Sequence, residues 1–223
     1  MITVHHLNNS RSQRVLWLAE ELGLDYEVKR YERDRKTMLA PASLRQVHPL
    51  GKSPVITDGD VTLAESGAII EYLVERYGKG RLVPPQGSPE RLRYTYWMHY
   101  AEGSLMPPLL MKLVFDTIER SKMPFFAKPV ARAIARRAKS SFVEPRIREH
   151  LAFMEGELAG RDWFAGREFT AADVQMSFPL EAAAARGGLG QDYPRLTAFL
   201  ARIHERPAYK RALAKGGEYA LLA

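Results

Sequence analysis

The chain has 223 residues, enough for one large or two small globular domains. With 46% hydrophobic and 26% charged residues it can bury a sizeable core, and its formal net charge of +7 leaves a basic surplus to be located. It contains no cysteine, which excludes disulfides, thiolate metal sites and any cysteine nucleophile.

The opening residues Met1-Ile2-Thr3-Val4-His5-His6-Leu7 lack a basic region and a long apolar run, so no secretory signal is expected. No stretch reaches the ~18 apolar residues of a membrane span, and the absence of cysteine fits the cytoplasmic location expected here. Thr3–Leu7 reads as a strand, followed by the polar turn Asn8-Asn9-Ser10-Arg11-Ser12. Val15, Leu16, Leu18, Ala19 and Leu22 then form a helical stripe, with Ser12 placed to cap it and Gly23 to end it. Tyr26–Tyr31 alternates as a second strand, and residues 37–47 hold at best a short helix. Pro54–Thr57 and Val61–Leu63 flank Asp58-Gly59-Asp60 as a hairpin, and a clear helix runs from Ser66 to Tyr77.

The predicted order over the first eighty residues is therefore β-α-β-α-β-β-α, a mixed sheet with helices against it. Residues 82–89 hold three prolines, a glycine and a serine and read as a linker. Beyond them only helical periodicity appears, over roughly 90–120, 124–142, 144–159, 171–186, 194–204 and 207–215. The expected division is an α/β domain at 1–81, a linker at 82–89 and an all-α domain at 90–223.

Four segments in this order resemble the glutathione transferase superfamily. They are Ser10-Arg11-Ser12-Gln13-Arg14, His48-Pro49-Leu50-Gly51-Lys52-Ser53-Pro54, Leu63-Ala64-Glu65-Ser66-Gly67-Ala68-Ile69 and Phe169-Thr170-Ala171-Ala172-Asp173-Val174. The resemblance spans nearly the whole chain and is closest to a serine-type site of the theta or delta kind, in a bacterial or fungal-like subgroup. It implies a thioredoxin-like domain followed by a helical domain, glutathione as co-substrate, no metal, and a homodimer. It also implies a cis bond before Pro54, exposing the backbone of Ser53 to the cysteinyl part of glutathione. The family's usual residue there is apolar, but a backbone contact tolerates Ser53.

Each segment also has a physical reading. A helix N-terminus offers free N–H groups and partial positive charge, so Ser66 can hold a carboxylate while Glu65 pairs with an ammonium. Both groups sit on the γ-glutamyl end of glutathione. Lys52 can reach its glycyl carboxylate. Thr170 and Asp173 are spaced as a capping box, with Phe169 and Val174 as its staple. That element serves folding rather than catalysis.

Transferase chemistry needs the glutathione thiolate, whose parent thiol has a pKa of about 8.5. A hydroxyl that donates to the sulfur stabilises the anion. By resemblance the catalytic serine stands four residues before the arginine opening the first helix, which from Arg14 gives Ser10, with Asn9 and Ser12 as alternates. An apolar electrophile is expected against the first long helix of the second domain, where Tyr100 and Met106 are candidates. His5, His6 and His99 lack metal spacing and an evident partner, so packing roles are expected.

Residues 120–148 carry nine basic residues and one acid, Glu144. That excess outweighs the surplus of the whole chain. A solvated helix pair is the first reading, contact with an anionic membrane surface the second; nucleic acid is not expected, since no recognition motif accompanies the charge. The functional expectation is a transferase that adds glutathione to apolar electrophiles or reduces organic peroxides. The competitor is a non-catalytic glutathione-fold module.

Overall fold

The computed structural model describes residues 1–34 and 36–221; the end of the C-terminal tail, Leu222 and Ala223, lies outside the described residues. The first part contains β1 (Ile2–Leu7), α1 (Ser12–Leu22), β2 (Tyr26–Tyr31), α2 (Ala42–Val47), β3 (Val55–Asp58), β4 (Val61–Ala64) and α3 (Ser66–Tyr77). The strands form one sheet in the order β2-β1-β3-β4. β1 runs parallel to β2, with Val4 opposite Val28, and antiparallel to β3, with Val4 opposite Ile56. The predicted order and the thioredoxin-like architecture are both present.

Helices make up the rest: α4 (Pro89–Tyr100), α5 (Met106–Arg120), α6 (Lys128–Ala138), α7 (Glu144–Glu157), α8 (Ala171–Ala182), α9 (Pro194–His204) and α10 (Pro207–Gly216). A π-helical segment, Ala101–Leu105, joins α4 to α5, and another, Lys139–Val143, joins α6 to α7. The continuous periodicity read over 90–120 is thus one long helix with a wider turn in its middle. Single π-turns inside α-helices are frequent at functional sites. Here the interrupted turn carries Glu102.

Helix α1 organises the molecule. Every residue from Ser12 to Ala19 is buried, because α1 lies between the sheet side and the helical part, packing against α3, α8 and α10. Trp17, with no exposed surface, meets Tyr209 edge-on at 5.1 Å and Phe169 at 5.6 Å. Apolar side chains from both parts form one large continuous cluster, and Leu7, Tyr31 and Leu44 form a second, smaller one. Gly23 ends α1 at φ 65°, a left-handed conformation that suits glycine.

One expectation about α1 fails. Arg11, not Ser12, occupies the cap position, and the Ser12 side chain makes no cap bond. The Ser12 hydroxyl is drawn inward by His6, so it cannot reach the free N–H groups of its own helix.

At α8 the predicted box is present. Asp173 accepts the Thr170 N–H at 2.8 Å and the Thr170 hydroxyl at 3.1 Å. It also accepts the Phe164 N–H at 2.8 Å, pinning the preceding loop. Asp173 is completely buried, and that burial raises its carboxyl to about 6 despite these donors. Among the described residues no helix is long and apolar enough to cross a membrane.

Candidate functional site

The turn after β1 places Ser10 at the start of α1, buried to 4% exposure. Its oxygen accepts the Ser12 backbone N–H at 3.2 Å and shares a 2.7 Å hydrogen bond with the Ser12 hydroxyl. The Ser10 hydroxyl also donates to Ser53 Oγ at 3.2 Å. Ser53 Oγ in turn donates to the His5 carbonyl and accepts the Leu7 N–H. Ser12 Oγ bonds His6 Nδ1 at 2.9 Å. Four side chains, Ser53, Ser10, Ser12 and His6, thus form one hydrogen-bonded row beneath the turn.

Burial, helped by the nearby charge of Arg30, lowers His6 to about 4, so the row ends on a neutral imidazole at neutral pH. His5 is bonded as well, to the Tyr31 hydroxyl at 2.9 Å and Thr57 Oγ1 at 3.3 Å. The expectation that His5 and His6 lack partners is therefore corrected. Their partners lie on other strands or across the turn, where spacing along the chain does not reveal them. Among the described residues no three His, Asp or Glu side chains converge as a metal site.

A second cluster adjoins the turn. The fully buried Arg14 donates to Ser66 Oγ at 2.7 Å, to the Gln175 carbonyl at 2.6 Å and to Glu102 Oε1 at 2.6 Å. Arg11 donates to both Glu102 oxygens at 3.0 Å. Burial works against ionising Glu102, but the charges of Arg14 and Arg11 hold its carboxyl below the usual range. The cluster ties α1, the start of α3, α8 and the π-turn together. Glu65, exposed and just before α3, has φ 70° and ψ 117°, a region that side chains rarely adopt.

The Ser53–Pro54 bond is cis. Gly51, at φ 57°, leads into it in a space where a side chain would meet Arg45. Lys52 is exposed and, among the described residues, forms no ion pair. Asn9 has φ 51°, and its Oδ1 accepts the N–H of Ala220 at 2.6 Å, so the C-terminal tail lies against the turn. Tyr219 anchors that tail by donating to the buried Glu181 at 2.7 Å. Tyr100 and Met106, at 6% and 8% exposure, belong to the core cluster. The Tyr100 hydroxyl meets His150 Nδ1 at 2.5 Å.

Comparison with known proteins decides the family. The model of the glutathione S-transferase N-terminal domain matches residues 1–75 and that of the C-terminal domain residues 116–207. Glutathione S-transferase 3 of Schizosaccharomyces pombe is 38% identical, over 96% of this chain and 88% of its own. The chain belongs to the glutathione S-transferase family. A crystal structure of a glutathione S-transferase from Actinobacillus pleuropneumoniae superposes with a TM-score of 0.82 at 34% identity, covering 100% of this chain and 96% of that one. A sphingomonad glutathione S-transferase complexed with glutathione superposes with a TM-score of 0.72 at 26% identity, covering 97% of this chain and 100% of that one.

Within this glutathione S-transferase, motif and spacing point to Ser10, Ser53, Glu65 and Ser66 but not to what supports them. Along the chain Arg14 only marks the start of the first helix, yet it bonds Ser66 directly. Glu102 lies 88 residues further along the chain, beyond the reach of periodicity. A charged residue on the apolar stripe of α1 was the one available signal, since a buried arginine requires a partner.

Proposed function

We propose that in this glutathione transferase the Ser10 hydroxyl donates to the glutathione sulfur and holds it as thiolate for attack on an apolar electrophile. The observation that carries this reading is the placement of Ser10 in the turn between β1 and α1, with its oxygen already accepting the Ser12 N–H at the start of α1. A hydroxyl that accepts one hydrogen bond donates a stronger one. Its present bond to Ser53 is long at 3.2 Å, and exchanging it for a charge-assisted bond to sulfur is favourable. Lowering a thiol from about 8.5 to about 7 takes ~2 kcal/mol, within reach of one such bond. The thiolate then forms the new carbon–sulfur bond as the electrophile's leaving group departs.

Ser12 is fully buried behind Ser10, which favours Ser10 over it as the donor. The Asn9 carboxamide oxygen is taken by the C-terminal tail, which favours a positioning role. Ser66 and the first N–H groups of α3 would receive the γ-glutamyl carboxylate, Glu65 the ammonium, Lys52 the glycyl carboxylate and the Ser53 backbone the cysteinyl part. Glu102 pairs with Arg11 beside Ser10, so the segment from Tyr100 to Met106 passes the turn, which supports placing the electrophile there. A boundary at the 82–89 linker, a cytoplasmic homodimer and a serine-type, bacterial or fungal-like subgroup complete the reading. The relatedness to a yeast and a bacterial transferase supports the last.

The test is conjugation of a generic aryl halide by Ser10→Ala and Ser12→Ala, with the bound thiolate followed by its ultraviolet absorbance across pH. Ser10→Ala is expected to lose about fifteenfold in rate at pH 7, as the bound thiolate falls from about half to about 3%, and to shift the thiolate titration upward. Full activity in Ser10→Ala would refute the assignment. Loss confined to Ser12→Ala would transfer it.

A further inference from the structure

The basic segment leaves an apolar surface that the transferase site does not use. Between α5 and α6 the chain turns through Ser121–Ala127, and its apex carries two adjacent aromatic rings. Phe125 is 87% and Phe126 71% exposed, packed edge-on against each other at 5.7 Å. Val130 and Ile134, one turn apart on α6, are 60% and 62% exposed. Of all α6 residues only Ala135 is buried. Singly exposed apolar residues are ordinary, but four strongly exposed ones between Phe125 and Ile134 mark a contact surface.

Charge selects the partner. Acidic groups on α5 neutralise only two of the cations: Lys139 pairs with Asp116 and Glu119, and Arg136 with Glu119. Among the described residues, Arg120, Lys122, Lys128, Arg132 and Arg137 form no ion pair with a carboxylate, and they flank Phe125 and Phe126 along the chain. A second copy docked through this face would oppose like charges. A nucleic acid would use the rings for stacking but has no use for Val130 and Ile134. Aromatic and aliphatic side chains framed by unpaired cations suit an anionic lipid surface, where the apolar groups enter the headgroup–acyl boundary and the cations meet phosphates.

We propose that the α5–α6 corner docks this protein reversibly on anionic membrane surfaces, Phe125 and Phe126 inserting and the unpaired cations binding headgroups. The proposal is independent of which hydroxyl meets the glutathione sulfur. The experiment is co-sedimentation of the full chain with phosphatidylcholine vesicles, with and without phosphatidylserine, at low and high salt. Binding is expected only with phosphatidylserine, released by salt, and weakened about tenfold or more in Phe125→Ser/Phe126→Ser. A Phe125→Trp variant should show blue-shifted fluorescence quenched by brominated lipid, a readout that altered folding would not produce. Absence of binding at low salt overturns the proposal, as does equal binding by the double serine variant. So does a change of oligomeric state in that variant, which would make the corner an interface between copies. Tighter binding of a DNA duplex than of phosphatidylserine vesicles would also overturn it.

Discussion

Arg14 reaches Glu102 at 2.6 Å while its other donations, to Ser66 Oγ and the Gln175 carbonyl, hold the start of α3 and the backbone of α8. One buried cation therefore links the element proposed to bind the γ-glutamyl carboxylate with the helical part of the molecule. Removing one partner of a buried pair costs more than the pair contributes, because the other charge is stranded. Glu102→Ala is expected to lower stability by about 2 kcal/mol, a value discounted because Glu102 retains partial exposure. Arg14→Ala should cost about 3 kcal/mol and also raise the KM for glutathione, since Ser66 loses its donor. Urea melts and steady-state kinetics on both variants check this. An unchanged KM in Arg14→Ala would detach Ser66 from glutathione binding.

Asp173 presents a different case, a buried carboxylate whose partners all lie in its own helix cap and the loop before it. It accepts from Phe164, from the Thr170 N–H and from the Thr170 hydroxyl, all within 3.1 Å. Asp173→Ala strands these donors, and stability is expected to fall by about 3 kcal/mol. At a temperature where the variant is folded, the KM for glutathione should stay within about twofold of the parent. A large rise in KM at normal stability would place Asp173 in the binding site instead.

Local chemistry was legible in the sequence and cross-chain chemistry was not. Gly23, the Thr170–Asp173 box and the alternation of β2 each depend on residues a few positions apart, so propensity and spacing reveal them. The order of strands and helices follows from the same signals. His6 meets Ser12 only because β1 and α1 fold back on each other, and the consequence reverses an expectation: Ser12 leaves its cap role to support Ser10. Glu102, which meets Arg14, sits in a π-turn within a stretch that reads as a regular helix. In the candidate site, sequence could nominate the turn and the start of α3, while the hydroxyl row and the buried arginine needed three dimensions.

Two titrations of opposite sign separate these groups by pH. His6 titrates near 6.5 when unfolded and at about 4 when folded. Between those values the unfolded chain takes the proton first, so His6 removes stability as pH falls, up to about 3 kcal/mol. Asp173 moves from 3.8 to about 6, so the folded chain takes the proton first and stability rises as pH falls through that window. The two nearly cancel in the parent protein. His6→Gln removes only the first. Its stability relative to the parent should therefore rise by about 2–3 kcal/mol from pH 7 to pH 4, measured by urea melts at each pH. A pH-independent difference would mean that His6 is solvated and titrates normally.

Glu65 offers a test in which stability and binding should move apart. Its φ of 70° lies where glycine is at ease and a side chain is strained by about 1–3 kcal/mol. The exposed carboxylate makes no cap bond to repay that strain, so the conformation serves something other than the fold. Glu65→Gly should relieve the strain, offset in part by the extra freedom of glycine in the unfolded chain, for a net gain of up to about 1 kcal/mol. It should at the same time weaken retention on glutathione resin and raise the KM for glutathione about tenfold, as the ammonium loses its counter-charge. A variant that gains stability and keeps its affinity would show that the strained backbone, and not the Glu65 carboxylate, shapes the site. Loss of both would show that the side chain supports α3 itself.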